Sequence, residues 1–335
     1  MMDLKLLWIL LITSLFFIQG WPQTQGCWEQ ERVALLQLHS VFDVSDWITE
    51  KDSNCCHWDY IECHNISGRV KVLTLPPKWR QGDSSWYLDV SLFFPFEELK
   101  SLDLSLNGIK DFIDNKVPLS SAFSNLEILK LSFNDFHDGI LSKVKSLPNL
   151  KILDLRNNTI ESLQHLQEMN LEELDLGGNR LKNNDLTYIK GLSIKSLNIG
   201  GNLLQGSIDI GVLNNLTNLK KLDMSYNEIE SLQYFNDGER QLKLINLEKL
   251  DLSYNLFNNT LLARLGGLSN MKSLNVGNNL IKGSINIIEE LDGLINLEEL
   301  MLDGSHLNNN ILQSIGVLNS LKALSLHDCT YPRMV

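Results

Sequence analysis

The chain has 335 residues, with 41 acidic against 29 basic residues and a formal net charge of −12. It contains no basic run, so we do not expect a nucleic-acid partner. A compact single domain of this length would be large. An array of repeats has no such limit, because each unit contacts only its neighbours.

The amino terminus has the pattern of a secretory signal peptide. Lys5 precedes an apolar run over 6–18, which is shorter than the roughly 20 residues of a membrane-spanning helix. We place the signal peptide at 1–20, with cleavage as late as residue 26, and expect no transmembrane segment after it. An uncleaved membrane anchor is the alternative.

Four of the five cysteines lie close together, at Cys27, Cys55, Cys56 and Cys63. In a secreted chain this set indicates two disulfides. The adjacent Cys55 and Cys56 are poor partners for each other, which leaves two pairings open. Zinc is the alternative because His57 and His64 each follow a cysteine, but this spacing is no standard zinc arrangement. We therefore predict neither a metal nor a cofactor.

Residues 27–75 read as a cap that closes one end of the array. The segment 31–41 has a helical stripe that includes Val33, Leu36 and Leu35. Trp47 and Trp58 could cover the open end, and the segment 70–75 would supply a first strand. An exposed array end is a bare apolar sheet edge, so a cap is physically required. Residues 76–98 are assigned as a connecting segment.

From residue 99 the phrase L-x-x-L-x-L-x-x-N recurs ten times. Its ninth position falls at Asn107, Asn134, Asn158, Asn179, Asn202, Asn227, Asn255, Asn279, Ser305 and Cys329. This spacing is typical of leucine-rich repeats. We predict an α/β solenoid over 99–335, a curved array of about ten leucine-rich repeats with a parallel sheet on its concave face and a disulfide-stapled amino-terminal cap. The asparagines should bind backbone groups where the chain leaves each strand.

Positions three, five, seven and eight of each repeat should face the concave surface, where solenoids bind their partners. Two groups there are candidate ligand-binding residues: an early one (Lys130, Phe133, Arg156) and a middle one (Lys221, Tyr226, Lys249, Tyr254). Tyr and Arg are favoured anchors in interfaces. The alternative is that the tyrosines merely cover the rim. Aspartates recur at position five, and we assign them an electrostatic or structural role.

Four N-x-S/T sequons are candidate glycosylation sites, at Asn65, Asn157, Asn215 and Asn258. Asn157 is the weakest, since it should lie on the strand face. The chain has no G-x-S-x-G, G-x-x-x-x-G-K or H-E-x-x-H pattern. We predict that it is not an enzyme.

The cap segments CCHWDYIEC (55–63) and GRVKVLTL (68–75), with ERVALLQL before them, resemble the plant-type amino-terminal domain of leucine-rich-repeat receptors. The segment SLFFPFEELKSLDLSLNGI (91–109) resembles the entry into the repeats of plant receptor-like proteins. The resemblance implies pairing of Cys27 with Cys55 and of Cys56 with Cys63. It also implies a kinase-less cell-surface receptor that binds a protein or peptide ligand and acts with a membrane co-receptor kinase.

The chain departs from this family at its carboxy terminus, where it stops at Val335 without a cysteine cap or an anchor. We expect a truncated product on the secretory pathway. It would lie at the extracellular face of the plasma membrane if the full protein is anchored, and in the cell wall space otherwise. The alternatives are a secreted inhibitor of a microbial wall-degrading enzyme and a non-functional truncated paralogue.

Overall fold

The structure is a computed structural model that describes residues 27–44, 47, 54–78, 86–233, 242–283, 291, 293–307, 315 and 318–329. The predicted signal peptide lies outside these residues. Within them, no helix combines the length and apolar character that crossing a bilayer requires.

Short strands dominate the described part of the chain. They are β1 Ile61–Cys63, β2 Val70–Thr74, β3 Trp86–Asp89, β4 Ser101–Asp103, β5 Ile109–Ile113, β6 Ile128–Lys130, β7 Ile152–Asp154, β8 Glu173–Asp175, β9 Ser196–Asn198, β10 Gln205–Asp209, β11 Lys221–Asp223, β12 Glu228–Gln233, β13 Lys249–Asp251, β14 Ser273–Asn275, β15 Lys282–Gly283, β16 Glu299–Met301, β17 His306–Leu307 and β18 Ala323–Ser325.

Helices are few and short after the cap. The α-helices are α1 Glu29–Phe42, α2 Leu119–Ala122, α3 Gly139–Val144, α4 Ile210–Leu213 and α5 Leu262–Leu265. Single 3₁₀ segments cover Cys55–His57, Val90–Phe93, Leu166–Glu168, Asn183–Ile189 and Asn259–Leu261.

One sheet runs through the described residues in the order β1-β2-β4-β6-β7-β8-β9-β11-β13-β14-β16-β18. Every neighbour pair is parallel except β1 with β2. Positions three to five of each repeat form one strand, and position four aligns across strands, as in Leu222 with Leu250. The predicted leucine-rich-repeat solenoid is confirmed.

The core follows the alternation of the strands. Leu174 and Leu176 are buried at 2% and 0% exposure, while Asp175 between them faces the concave side. A fully buried leucine stabilises the fold by about 1.5–3 kcal/mol. Since a three-residue strand cannot bury its leucines alone, stability comes from the stacking of neighbouring repeats.

The ninth-position asparagines form a continuous buried row that holds each strand exit. Asn134 donates through Nδ2 to the carbonyl oxygens of Leu104 and Leu131, both at 3.0 Å, and accepts through Oδ1 from the Ile109 amide at 2.9 Å. Each amide therefore binds its own repeat and the preceding one. The same pattern recurs at Asn158, Asn179, Asn202, Asn227, Asn255 and Asn279.

Ser305 interrupts this row. Its side chain is fully buried, and its hydroxyl oxygen has no hydrogen-bond partner among the described residues. We expect Ser305→Asn to raise the free energy of unfolding by about 1 kcal/mol. A side-chain amide there can reach the Val276 and Leu302 carbonyls, as the position-nine asparagines of the other repeats reach theirs. Urea unfolding would measure this. Ser305→Ala is the control: it removes the unpaired hydroxyl, which should itself stabilise slightly, but adds no hydrogen bond. An asparagine variant less stable than the wild type would contradict the expectation.

The cap closes the amino-terminal end through α1 and two disulfides, which join Cys27 to Cys55 and Cys56 to Cys63. Trp47 and Trp58 are 3% and 4% exposed, and their ring centroids lie 5.7 Å apart. The predicted stripe on α1 is partly wrong. Val33 is 44% exposed, and the buried face of the helix consists of Glu31, Ala34, Leu35, Leu38 and Phe42.

The segment assigned as a connector is a coil of the solenoid from residue 86 onward. Strand β3 pairs in parallel with β5 of the first repeat, and Leu88, Phe93 and Phe96 are buried in the core. The strand β2 of this coil lies in the main sheet beside β4. Its phrase ends at Lys78 in place of asparagine, and the Lys78 amide binds Asn107 Oδ1 at 3.1 Å. Because this phrase lacks the asparagine, the sequence did not predict the part of the coil over 86–98.

Candidate ligand-binding surface

Position eight of every repeat has a left-handed backbone. Its φ angle lies between +51° and +67° at Leu106, Phe133, Asn157, Gly178, Gly201, Tyr226, Tyr254, Asn278, Gly304 and Asp328. Gly and Asn tolerate this conformation, whereas other side chains add about 1–2 kcal/mol of strain. Backbone geometry therefore does not account for the large side chains at four of these positions, Leu106, Phe133, Tyr226 and Tyr254.

The two tyrosines form a stacked pair on the concave side. Their ring centroids lie 4.1 Å apart with an interplanar angle of 9°, although Tyr226 is 58% and Tyr254 45% exposed. The Tyr226 amide donates to the Ser253 carbonyl at 2.9 Å, and this bond holds the backbones of the two adjacent repeats side by side. The hydrogen bond with Tyr254 raises the pKa of Tyr226. The pair is a rigid aromatic surface that a ligand need not order on binding.

A cavity of about 530 Å³ adjoins this pair. Besides the tyrosines, its lining includes Leu203, Gln205, Lys182 and Glu228. An apolar wall with amide groups and one charge of each sign suits a segment of mixed polarity better than a purely apolar ligand. The sequence did not predict these four residues, because they follow position nine of their repeats. Only positions three, five, seven and eight were expected to face the concave surface.

The structure separates the middle group into two pairs. Lys221 and Lys249 lie at the start of adjacent strands and in register, whereas the tyrosines follow the strand ends. Between them lie Asp223 and Asp251, which also line a second cavity of about 260 Å³ with the lysines. In the structure tyrosine stacks on tyrosine, and lysine lies beside lysine.

The early group is already paired within the protein. Arg156 binds Asp154 at 2.8 Å and Asp175 at 3.3 Å, and the hydrogen bond with Asp154 raises the pKa of Arg156. Lys130 lies 3.6 Å from Asp103. Among the described residues, Phe133 is the member of this group that stays half exposed without an ion pair, so the structure gives the early group less capacity to bind a ligand than the tyrosine pair.

The position-five aspartates have a structural role. Asp103, Asp175 and Asp251 each accept, through Oδ1, the backbone amide two residues further on, at 2.9–3.1 Å. Asp154 does the same but is only 7% exposed, contrary to the expectation that this position faces solvent. Burial is the main cause of a raised pKa at Asp175. These carboxylates terminate the strands.

The four sequon asparagines all have exposed side chains. Asn215 donates through Nδ2 to the Gly211 carbonyl at 2.6 Å, and Asn258 accepts from the Thr260 amide at 3.0 Å. Asn157 lies on the concave side with φ of +51°. Glycan attachment at Asn65, Asn157, Asn215 and Asn258 stays a prediction.

Comparison with known families agrees with this architecture. The Leucine rich repeat N-terminal domain family matches residues 29–64, and Leucine Rich Repeat families match 99–111, 124–144, 170–192, 215–231 and 246–268. The chain is a leucine-rich-repeat protein. Its cap and its repeats thus belong to one recognised type of array.

This leucine-rich-repeat protein is similar to plant receptors. It is 35% identical to "Putative receptor-like protein 8" of Arabidopsis thaliana over 67% of its length and 33% identical to "Cuscuta receptor 1" of Solanum lycopersicum over 80%. It spans only 23% and 21% of these two relatives. The ectodomain of the Arabidopsis receptor kinase HAESA, solved with a peptide hormone ligand, shares the fold with a TM-score of 0.60 and 22% identity, over 90% of this chain and 53% of that one.

Proposed function

We propose that the chain is the ligand-binding, extracellular portion of a plant receptor-like protein. It binds a protein or peptide ligand on its concave side and acts by association with a membrane co-receptor kinase. Similarity to receptor-like proteins along most of the chain supports this assignment. Its action is binding rather than catalysis, as the solenoid architecture favours.

The observation that carries the proposal is the tyrosine pair. Two large aromatic side chains occupy strained left-handed positions and remain half exposed. Strain retained at a surface is a mark of functional sites, and tyrosine is among the residues that dominate binding energy. The adjoining cavity lets a ligand side chain settle beside the rings.

The secretory pathway follows from the same proposal. The cap holds two disulfides, which persist in oxidising compartments. Asn65, Asn215 and Asn258 are the proposed glycan carriers, with Asn157 as a fourth. A glycan on Asn157 would reach the concave side, so its occupancy would narrow the ligand surface.

We expect Tyr226→Ala/Tyr254→Ala to weaken ligand binding about 30-fold or more, since loss of the stacked pair as one aromatic anchor costs about 2 kcal/mol or more. The test selects a displayed library of extended peptides on the secreted wild-type chain and measures the affinity of the selected pool for each variant. Both tyrosine side chains are about half exposed and alanine keeps the same left-handed strain, so the urea midpoint should change little.

The matched control is Tyr87→Ala, which removes a tyrosine of similar exposure from β3, outside the main sheet. It should bind the pool as the wild type does. Equal binding by the double variant and the wild type would overturn the assignment of this surface.

A further inference from the structure

Position two of the repeats forms a row of charges along one edge of the concave side. All ten members are charged, and they are Lys100, Glu127, Lys151, Glu172, Lys195, Lys220, Glu248, Lys272, Glu298 and Lys322. Opposite charges meet on adjacent repeats, at distances such as 2.7 Å for Lys100 with Glu127 and 2.6 Å for Lys272 with Glu248. Such a row is locally neutral, because lysine and glutamate alternate.

The alternation of lysine and glutamate is interrupted once, where two lysines follow each other. Lys195 and Lys220 are neighbours, since the amides of Lys220 and Lys221 both donate to the Lys195 carbonyl, at 2.8 and 3.1 Å. Lys195 pairs outward with Glu172 at 2.5 Å, and Lys220 pairs outward with Glu248 at 3.4 Å. No glutamate of the row lies between the two lysines.

A second pair of lysines lies beside Lys195 and Lys220. Lys221 and Lys249 occupy position three of adjacent strands in register, and both are exposed. Within the described residues, neither has a carboxylate in ion-pairing distance. Like charges directly opposite on neighbouring strands destabilise a sheet. The four residues Lys195, Lys220, Lys221 and Lys249 are called the lysine cluster below.

The aspartates closest along the strands are engaged with other groups. Asp223 accepts through Oδ1 from the amide and hydroxyl of Ser225, at 2.9 and 2.6 Å. Asp251 accepts from Ser253 in the same way and through Oδ2 from Asn275 at 2.9 Å. Lys221 and Lys249 line the open cavity of about 260 Å³ together with these two aspartates, Ser196 and Ser273, and a ligand can enter there.

We propose that the lysine cluster is an anion subsite that binds the carboxylates of an acidic peptide segment. This inference rests on the proposed function and names the chemistry of its ligand. Position eight follows position three by five residues, but the strand ends at position five and position eight is left-handed, so the two positions lie closer than the roughly 17 Å of a fully extended chain. A ligand aligned with the strands would therefore present its Asp or Glu side chains within about five residues of the part that contacts Tyr226 and Tyr254. The chain as a whole carries a net charge of −12, which repels such a ligand, so the cluster also selects where it binds.

The first test titrates fluorescein-labelled octaglutamate against the secreted chain at low salt. We expect Lys221→Gln/Lys249→Gln to weaken binding about tenfold, since two charge-assisted contacts are lost. The matched control is Lys100→Gln/Lys151→Gln, which makes the same change in net charge at two lysines that both pair with Glu127. Equal weakening by both variants would show a non-specific field effect and overturn the subsite.

The second test separates this inference from the proposed function. Peptides selected on the wild type should be enriched in Asp and Glu, and selection on Lys221→Gln/Lys249→Gln should lose that enrichment. If the selected pool depends on Tyr226 and Tyr254 but has the same acidic content on both chains, the ligand surface stands and the anion subsite fails. If octaglutamate binding depends on the lysines while the pool ignores the tyrosines, the subsite stands and the tyrosine surface fails.

Discussion

We expect Asn202→Ala to lower the free energy of unfolding by about 3 kcal/mol. The side chain is 8% exposed. It donates to the Leu176 and Ile199 carbonyls at 3.0 Å each and accepts from the Leu181 amide at 3.0 Å. Alanine would leave the buried Leu181 amide without a partner, which destabilises by about 1–3 kcal/mol. It would also remove two hydrogen bonds of about 1 kcal/mol each from carbonyls that keep a second donor, Asn179 on Leu176 and Asn227 on Ile199. Water that enters the cavity would offset part of this loss.

Urea unfolding followed by circular dichroism measures the effect, with Asn218→Ala as the control. Asn218 is exposed and its Nδ2 donates to Ser193 Oγ at 2.7 Å, so its removal should change stability by less than about 0.5 kcal/mol. Asn202→Asp adds a second test, because a carboxylate keeps the acceptor but loses both donated bonds. Equal stabilities for the Asn202 and Asn218 alanine variants would show that the buried row does not hold the repeats together.

We expect Glu31→Gln to remove a pH dependence of stability worth up to about 3 kcal/mol. Glu31 is fully buried in α1; its Oε2 accepts the Val70 amide at 3.1 Å, while Oε1 has no partner within the described residues. Burial raises the pKa of this carboxyl to about 7, against the lowering influence of the Val70 hydrogen bond and Arg69, and Glu98 raises it slightly.

The sign follows from proton binding. The unfolded carboxyl has a pKa near 4.5 and the folded one near 7, so between these values the folded chain holds a proton that the unfolded chain has lost. The contribution is fully present below about pH 4.5 and is lost as the pH rises through about 7. Parallel pH profiles for the wild type and the Glu31→Gln variant would contradict this. Glu62→Gln, at an exposed carboxylate on β1, should keep the wild-type profile.

The sequence was sufficient for the repeats because each phrase encodes its own strand and its own buried amide. Hydrophobic period and asparagine spacing are local, so ten copies predict one sheet. The first strand at 70–75 was expected, but the part of this coil over 86–98 escaped, because Lys78 stands where the pattern expects asparagine. The Lys78 amide binds Asn107 Oδ1 and its side chain donates to the Val41 carbonyl. The predicted apolar stripe of α1 was wrong at Val33, since helical periodicity alone does not say which side of the helix meets the sheet.

The candidate surface was only partly predictable. Tyr226 and Tyr254 stand out by residue type, but their stacking depends on the left-handed backbone at position eight, which no local propensity predicts for tyrosine. Arg156 looked like a binding residue until its distances to Asp154 and Asp175 showed that it is engaged. An ion-pair partner on an adjacent repeat lies more than 20 residues away in the chain. Which charged side chains neutralise each other is therefore known only once the register of the strands is known.

The charged row at position two also limits how such an array can change in length. Its period is two repeats, because lysine and glutamate alternate. Insertion or deletion of two repeats preserves every opposite-charge contact, whereas a change of one repeat brings two like charges together. The Lys195–Lys220 junction has the arrangement that an odd change produces. An engineered or duplicated version of this solenoid should therefore grow in pairs of repeats, and a new like-charge junction would mark each place where it did not.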